Sequence, residues 1–199
     1  MAYSPGVGYV CKDIEKNPEL IDTLTLRGRS VAVVTQGNMF ADDPIEPGKM
    51  MPIVDWVIAQ IKFYGEVDAF PFILRKEASL VSALEDLSNT YASILLLDDF
   101  KIEPNDLPKD SAVLYQSDVI SQVGGNKTAC EVTSRVIALA LKEKKKGLLD
   151  SKFIAEGASF QPSIFKTDET YFVKMNTDKS TAEKAYQLHE RFNGIFIFI

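Results

Sequence analysis

The run Ser30-Val31-Ala32-Val33-Val34-Thr35 decides the fold of this chain. Its four central residues are all apolar, whereas a strand with one face in water would alternate apolar and polar residues. A continuous run of this kind is typical of a strand that is covered on both faces, as in a parallel sheet between two layers of helices. The run therefore predicts an α/β fold.

The segments that follow this strand alternate between helical and strand patterns. The predicted elements, in chain order, are a helix over 51–64 that ends at Gly65, a second buried strand over 67–73, a helix over 79–87, strands over 94–97 and 112–115, and a long helix over 127–146. Because the connections between them are short, the central part is predicted to be a mainly parallel sheet flanked by helices.

Composition limits the class of protein. The chain has 199 residues, of which 46% are hydrophobic and 25% charged, as expected for one globular domain or one domain with an appendage. A net charge of −6 disfavours nucleic acid or an anionic membrane surface as the partner. No segment reaches the roughly 18 apolar residues of a membrane span. Two distant cysteines, Cys11 and Cys130, predict reduced thiols and an intracellular location, either the cytoplasm or the matrix of a mitochondrion or other organelle.

The chain changes character after residue 147. Residues 1–147 carry the α/β pattern, and residues 148–199 are predicted to be a divergent C-terminal extension with a strand over 170–175, a helix over 180–192 and an apolar end. The end consists of Ile195, Phe196, Ile197, Phe198 and Ile199. Both faces of such a strand are apolar, so we expect it to be buried inside the fold or at an interface with another chain.

The stretch Tyr3-Ser4-Pro5-Gly6-Val7 places a phenol on a stiff corner. Pro5 fixes its own φ and pushes Ser4 into an extended conformation, so Tyr3 is predicted to be held just before a short helix over 9–16. A tyrosine in this position can donate a proton, or it can simply pack against its neighbours.

Several ordered motifs resemble the N-terminal substrate domain of malic enzymes. They are Tyr3 to Val7 with the following Cys-Lys-Asp-Ile and Asn-Pro-Glu-Leu, the strand over 30–35, Pro52 to Asp55, Val67 to Pro71, Leu97 to Phe100 and Thr128-Ala129. The resemblance covers roughly residues 2–145. It implies the α/β fold of that domain, and the family's activity is that of an oxaloacetate-decarboxylating malate dehydrogenase.

The resemblance assigns roles to a few positions. Tyr3 would be the general acid toward the enol of pyruvate, and Asp98 and Asp99 would match the two acids that bind a divalent metal. The family's catalytic lysine falls on Val57, which cannot hold a proton. The acidic pair and histidines that should follow the fourth strand are replaced by Tyr115-Gln116-Ser117, which leaves Asp118 as the one candidate for a third ligand.

Oxidative decarboxylation of malate needs a general base, a divalent cation and a nicotinamide. The base is missing at Val57, and neither Lys49 nor Lys62 is a natural substitute. No Gly-x-Gly-x-x-Gly follows a strand, and too few residues remain for a nucleotide domain. We therefore expect no NAD site and no cofactor, and at most a vestigial magnesium or manganese site at Asp98 and Asp99.

Three functional hypotheses follow. The favoured one is a catalytically degenerate domain, a pseudoenzyme that serves as a structural or interaction subunit of a homo-oligomer or larger complex. The second is a residual enzyme that uses Tyr3, Asp98 and Asp99 to enolise or decarboxylate a small oxo acid without NAD. The third is a sensor that binds a C4 dicarboxylate without turnover. The first explains the retained fold motifs, the missing lysine and metal ligands, and the absent cofactor domain together.

Overall fold

The computed structural model describes residues 5–37, 49–76, 78–100, 102–124, 126–160, 170–173 and 195–198. The chain divides into two compact units, Met1–Pro162 and Ser163–Ile199. The first contains the α/β fold and the second contains a pair of strands. Tyr3 and Ile199, both singled out from the sequence, lie outside the described residues.

The first unit contains a five-stranded parallel sheet. Its strands are β1 (Ser30–Thr35), β2 (Asp68–Ile73), β3 (Ser93–Leu96), β4 (Ala112–Tyr115) and β5 (Gly147–Leu148), and their spatial order is β2-β1-β3-β4-β5. Every neighbouring pair in this sheet is parallel. The α/β fold predicted from the sequence is therefore confirmed.

Helices connect and cover these strands. They are α1 (Pro5–Lys16), α2 (Ile21–Leu24), α3 (Met51–Gly65), α4 (Leu80–Thr90), α5 (Gln116–Val123), α6 (Asn126–Lys142) and α7 (Ser151–Ser159). Short 3₁₀ turns occupy Pro18–Leu20, Leu26–Arg29 and Pro104–Asp106. Several ends differ from the sequence prediction, two of them by four residues. Helix α1 starts at Pro5 rather than residue 9, and α6 stops at Lys142 before Lys144 adopts a left-handed φ of 52°.

The two faces of β1 lie in different hydrophobic cores. Val31 and Val33 belong to the larger core, which α3, α6 and α7 cover with residues such as Val54, Val136 and Phe153. Ala32 and Val34 belong to a smaller core that is closed by α4. All six residues of β1 are buried, as the continuous apolar run predicted.

Strand β2 is an edge strand, which its apolar sequence had not suggested. Phe70 remains 38% exposed, so the expectation of a fully buried strand is wrong. The backbone N–H of Leu74 donates to the carbonyl of Thr35 at 2.9 Å. Because alternate N–H groups of a strand face the same neighbour, position 71 faces the free edge, and Pro71 loses no sheet hydrogen bond there.

The first unit continues beyond residue 147. The predicted boundary between residues 147 and 148 falls within β5, and the compact units divide later, after Pro162. Helix α7 is capped by Asp150, whose Oδ1 accepts from the N–H of Phe153 at 2.8 Å. Phe153 and Ile154 of this helix are buried in the larger core.

The second unit contains β6 (Thr170–Val173) and β7 (Ile195–Phe198), which pair in parallel. The apolar end of the chain is thus a strand over residues 195–198, and the burial of its side chains stays a prediction. The helix predicted over 180–192 lies outside the described residues. Across the part of the chain that is described, no helix has the length and hydropathy needed to cross a membrane.

Candidate functional site

The candidate site lies where the carboxyl ends of β1, β3 and β4 meet. The chain leaves β1 toward β2 on one side and returns to β3 on the other, so the topology switches direction between β1 and β3. In open α/β sheets, ligands bind in the crevice at such a switch point. The polar residues that follow these strands are Gln36 after β1, Asp98 and Asp99 after β3, and Gln116 and Asp118 after β4.

Asp98 holds the turn after β1. Its side chain is 1% exposed, and its Oδ1 accepts a hydrogen bond from Thr35 Oγ1 at 2.6 Å. Its Oδ2 accepts from the backbone N–H of Gln36 at 2.6 Å. Thr35 Oγ1 in turn accepts from the N–H of Gly37 at 3.0 Å. The residue that the resemblance assigns to metal is therefore buried, and both of its oxygens already accept hydrogen bonds within the protein.

Asp99, Asp118 and Tyr115 form a second group at this edge. The two aspartates are exposed, and Tyr115 is 8% exposed with its ring in the smaller core. Burial raises the pKa of Tyr115, and the carboxylates of Asp118 and Asp99 raise it further. Partial burial and the charge of Asp99 also raise the pKa of Asp118. The three residues lie at or just after the carboxyl ends of the adjacent strands β3 and β4.

Gln116 stands in the stretch where the resemblance expects an acidic pair. It is 2% exposed, and its Oε1 accepts from Thr133 Oγ1 at 2.9 Å, while its Nε2 donates to Cys130 Sγ at 3.9 Å. The amide therefore ties the start of α5 to α6. Burial also raises the pKa of Cys130 to about 11, so this thiol is not a nucleophile at neutral pH.

Val57 lies in the larger core. It is 2% exposed and belongs to the same cluster as Val54 and Ile61 of α3. Its side chain thus contributes to packing at the position that the resemblance assigns to a catalytic lysine. Lys62, on the same helix, and Lys49, before it, are both exposed.

The described residues do not fit a divalent metal site. No group of three or more His, Cys, Asp and Glu side chains among them is arranged to hold an ion. Asp98 is engaged with the turn after β1, which leaves Asp99 and Asp118 as exposed carboxylates. A stable magnesium site needs close to octahedral coordination by oxygen. We therefore derive no chemical step from a metal here.

Comparison with known proteins finds relatives of this chain by sequence. The bifunctional malic/malolactic enzyme of Bacillus subtilis (strain 168) is 28% identical over 161 residues, 79% of this chain. The chain resembles malic enzymes over its N-terminal part. The NAD-dependent malic enzyme of Geobacillus stearothermophilus is 29% identical over 99 residues, 48% of this chain. No family model matches the chain.

Solved malic enzyme structures share the fold. The enzyme of Pyrococcus horikoshii Ot3 matches with a TM-score of 0.54 at 20% identity, covering 100% of this chain and 42% of that chain. The Entamoeba histolytica enzyme matches with a TM-score of 0.53 at 17% identity, covering 75% and 39%. The two curated malic enzymes are matched over 39% and 21% of their own lengths, so the chain spans well under half of each.

Sequence reasoning found some residues of this edge and missed others. It placed Asp98 and Asp99 together, but it did not foresee that one is buried and the other exposed. It does not single out Tyr115, because this residue ends the apolar run of a predicted strand. One feature of the sequence could have pointed to Tyr115. It is the last residue of a predicted strand, and in a parallel sheet such residues border the crevice at the carboxyl edge.

Proposed function

We propose that this chain is a malic enzyme-like substrate domain that has lost the chemistry of its relatives and serves as a structural or interaction subunit. Its partners would be further copies of itself or other proteins in an intracellular assembly, in the cytoplasm or an organellar matrix. The observation that carries the proposal is Val57, a core residue at the lysine position.

The environment of Val57 explains why another residue does not easily replace the lysine. A side chain here enters the core beside Val54 and Ile61, and an ammonium group buried there without a partner would be strongly disfavoured. Lys62 is five positions further along α3, so it projects from a different side of the helix. The general base therefore has no evident replacement among the described residues.

The polar residues of the edge also support the proposal. Asp98 is engaged by Thr35 and Gln36, and Gln116 is engaged by Thr133 and Cys130. Groups that stabilise the fold in this way are poorly placed to change partners during a reaction. We propose accordingly that the chain uses neither NAD nor a catalytic metal.

The first test is an assay of malate oxidation. We expect no NAD- or NADP-dependent turnover above the buffer rate with magnesium or manganese present, while the Bacillus subtilis relative is active in the same assay. Reduced nicotinamide that accumulates in proportion to the concentration of this chain would contradict the proposal. Decarboxylation of oxaloacetate without NAD, abolished by Asp99→Asn, would favour the residual enzyme instead.

The second test is the native mass of the protein purified from its own source. We expect an assembly larger than one chain, measured by light scattering on a size-exclusion column. The recombinant chain alone, run as the control, distinguishes self-association from a complex with other proteins. A monomer from both preparations would contradict the role of a subunit.

A further inference from the structure

A groove of about 320 Å³ lies beside β5, at the edge of the parallel sheet. The walls of this β5 groove include Lys145 and Lys146, which precede the strand, Leu148 of the strand itself, and Lys152 and Phe153 of α7. Leu148 is 43% exposed, so the strand presents an apolar residue to solvent at this edge. The groove thus combines a sheet edge, an apolar contact and three cations.

The backbone of Leu148 faces the free side of β5. The N–H of Gly147 donates to the carbonyl of Ser111 at 2.9 Å. The N–H of Leu149 donates to the carbonyl of Val113, also at 2.9 Å. Both bonds point toward β4, and successive residues of a strand turn their N–H and C=O groups to opposite sides. The N–H and C=O of Leu148 therefore point away from the sheet, and no hydrogen bond to them is found among the described residues.

Cations outnumber acids in this part of the chain. Residues 142–152 contain five lysines, one glutamate and one aspartate, in a chain whose net charge is −6. Lys146 pairs with Asp110 at 3.4 Å, but both side chains are more than half exposed, and such pairs are weak. Lys152 has no ion pair among the described residues. The β5 groove is therefore a basic surface on an acidic protein, and a basic surface favours an acidic partner.

We infer that the β5 groove binds an extended acidic segment of a partner protein, which adds to β5 as a further strand and pairs its carboxylates with Lys146 and Lys152. The inference deepens the proposed function and rests on it, because it names the surface and the chemistry by which a partner would be recognised. Strand addition takes its affinity from main-chain hydrogen bonds and its specificity from the side chains beside them. One residue of an added antiparallel strand can form both hydrogen bonds with Leu148.

The charge of the groove favours a different protein over a second copy of this chain. A symmetric contact between two β5 edges would bring the same lysines of both copies together. Like charges that face each other repel, and lysines on sheet edges oppose self-pairing for this reason. The two acids that line the groove do not cancel its charge, because Asp150 is engaged as the cap of α7 and only Glu156 remains against three lysines.

The test is an NMR titration of the whole chain with a hexapeptide of alternating glutamate and valine, blocked at both ends. In one control peptide glutamine replaces glutamate, and in the other every backbone nitrogen is methylated. We expect saturable binding of the glutamate peptide with a dissociation constant between about 0.1 and 1 mM, together with slower hydrogen exchange of the Leu148 amide. Both controls should bind at least about tenfold more weakly, since one lacks the charges and the other lacks the backbone donors. Equal binding of either control, or no saturable binding of the glutamate peptide, would overturn the inference.

Variants assign the binding to the groove. Lys146→Gln and Lys152→Gln should each weaken binding of the glutamate peptide by about twofold to fivefold, as expected for exposed ion pairs. Lys62→Gln, which removes an exposed lysine of α3, should have no effect. When Lys146→Glu and Lys152→Glu are combined, the preference should reverse toward a peptide of alternating lysine and valine. Binding that is unchanged in all of these groove variants would refute the assignment.

Other occupants of the groove give different results. Inorganic phosphate that displaces the glutamate peptide at equal concentration would identify a site for small anions and overturn the inference. Self-association that is lost in the combined glutamate variant, in a chain that does not bind the peptide, would assign the groove to a second copy and also overturn it. Malate turnover would remove the proposed function whatever the titration shows, whereas a failed titration with an inactive, assembled chain would remove only this groove.

Discussion

Asp98 and Asp99 are adjacent residues in different environments. Asp98 is buried and accepts hydrogen bonds from Thr35 and Gln36, and Asp99 is exposed at the surface of the same edge. A buried carboxylate with two donors contributes to stability mainly because its removal leaves those donors unsatisfied. The two neighbours should therefore respond very differently to the same substitution.

We predict that Asp98→Ala lowers the free energy of unfolding by about 2–4 kcal/mol, because Thr35 and Gln36 each lose an acceptor. Asp99→Ala, the matched control, should change it by less than about 0.5 kcal/mol. Urea denaturation followed by circular dichroism measures both values. Equal effects of the two substitutions would mean that the hydrogen bonds of Asp98 do not stabilise the fold.

The two cysteines should differ in reactivity. Cys11 is exposed, whereas Cys130 is 5% exposed and its pKa is raised to about 11 by burial. We predict that one thiol per folded chain reacts with iodoacetamide at neutral pH and that both react in guanidinium. Mass spectrometry of the labelled peptides checks this, and rapid labelling of Cys130 in the folded protein would contradict its burial.

The same shift in pKa sets the direction of an alkaline effect. The folded state retains the proton of Cys130 more tightly than the unfolded chain, whose thiol keeps the ordinary value of 9.0. Its contribution to stability is therefore lost as the pH rises from 9 toward 11. Cys130→Ser provides the comparison, because its hydroxyl does not titrate in this range.

At the scale of elements, the contact between α6 and α7 depends on a glycine. A Cβ added at Gly157 would lie 2.5 Å from Val136 Cγ2 and 2.8 Å from Val136 Cα. The helices approach so closely that any side chain at position 157 must push them apart. This contact fixes α7 against the larger core.

We predict that Gly157→Ala destabilises the protein by about 1–3 kcal/mol through overpacking. Gly8→Ala is the matched control, because a Cβ at this position of α1 meets nothing within 4 Å. That substitution should be neutral or stabilise by up to about 1 kcal/mol, since alanine favours a helix over glycine. Thermal unfolding of both variants measures these changes in stability. An unchanged stability of Gly157→Ala would show that α7 can move away from α6.

At the scale of the whole molecule, the apolar end of the chain is expected to be buried either within the fold or against another chain. Residues 195–198 form β7, which pairs with β6 in the second unit. The alternation of isoleucine and phenylalanine leaves no polar face, and each such side chain gains roughly 1.5–3 kcal/mol on full burial. Two strands alone are marginally stable in water.

We predict that deletion of residues 195–199 gives an insoluble protein if β7 is internal, or a soluble protein that no longer assembles if β7 is interfacial. Expression yield and native mass, measured beside the full chain, distinguish these outcomes. A control that replaces the same five residues with threonine keeps the β propensity and removes the hydrophobic gain. A truncated chain that stays soluble, equally stable and assembled would show that the apolar end has neither role.

The local sequence determined the type and order of most elements. The apolar run of β1 predicted a strand buried on both faces, and the alternation of patterns predicted a parallel sheet with helices around it. These features depend on periodicity and on the near neighbours of each residue, so they can be found without knowing the fold. The motifs that resemble malic enzymes predicted, in addition, which α/β fold the chain adopts.

The tertiary structure alone decided which strands are at the edge and what each polar residue does. Strand β2 is mostly apolar, as β1 is, but the strand order places β2 at the edge of the sheet. The partners of Asp98 are 62 and 63 residues away in sequence, and Tyr115 lies beside Leu96 only because β3 and β4 are adjacent. Burial and hydrogen bonding between such distant residues arise from chain topology, which local periodicity does not encode.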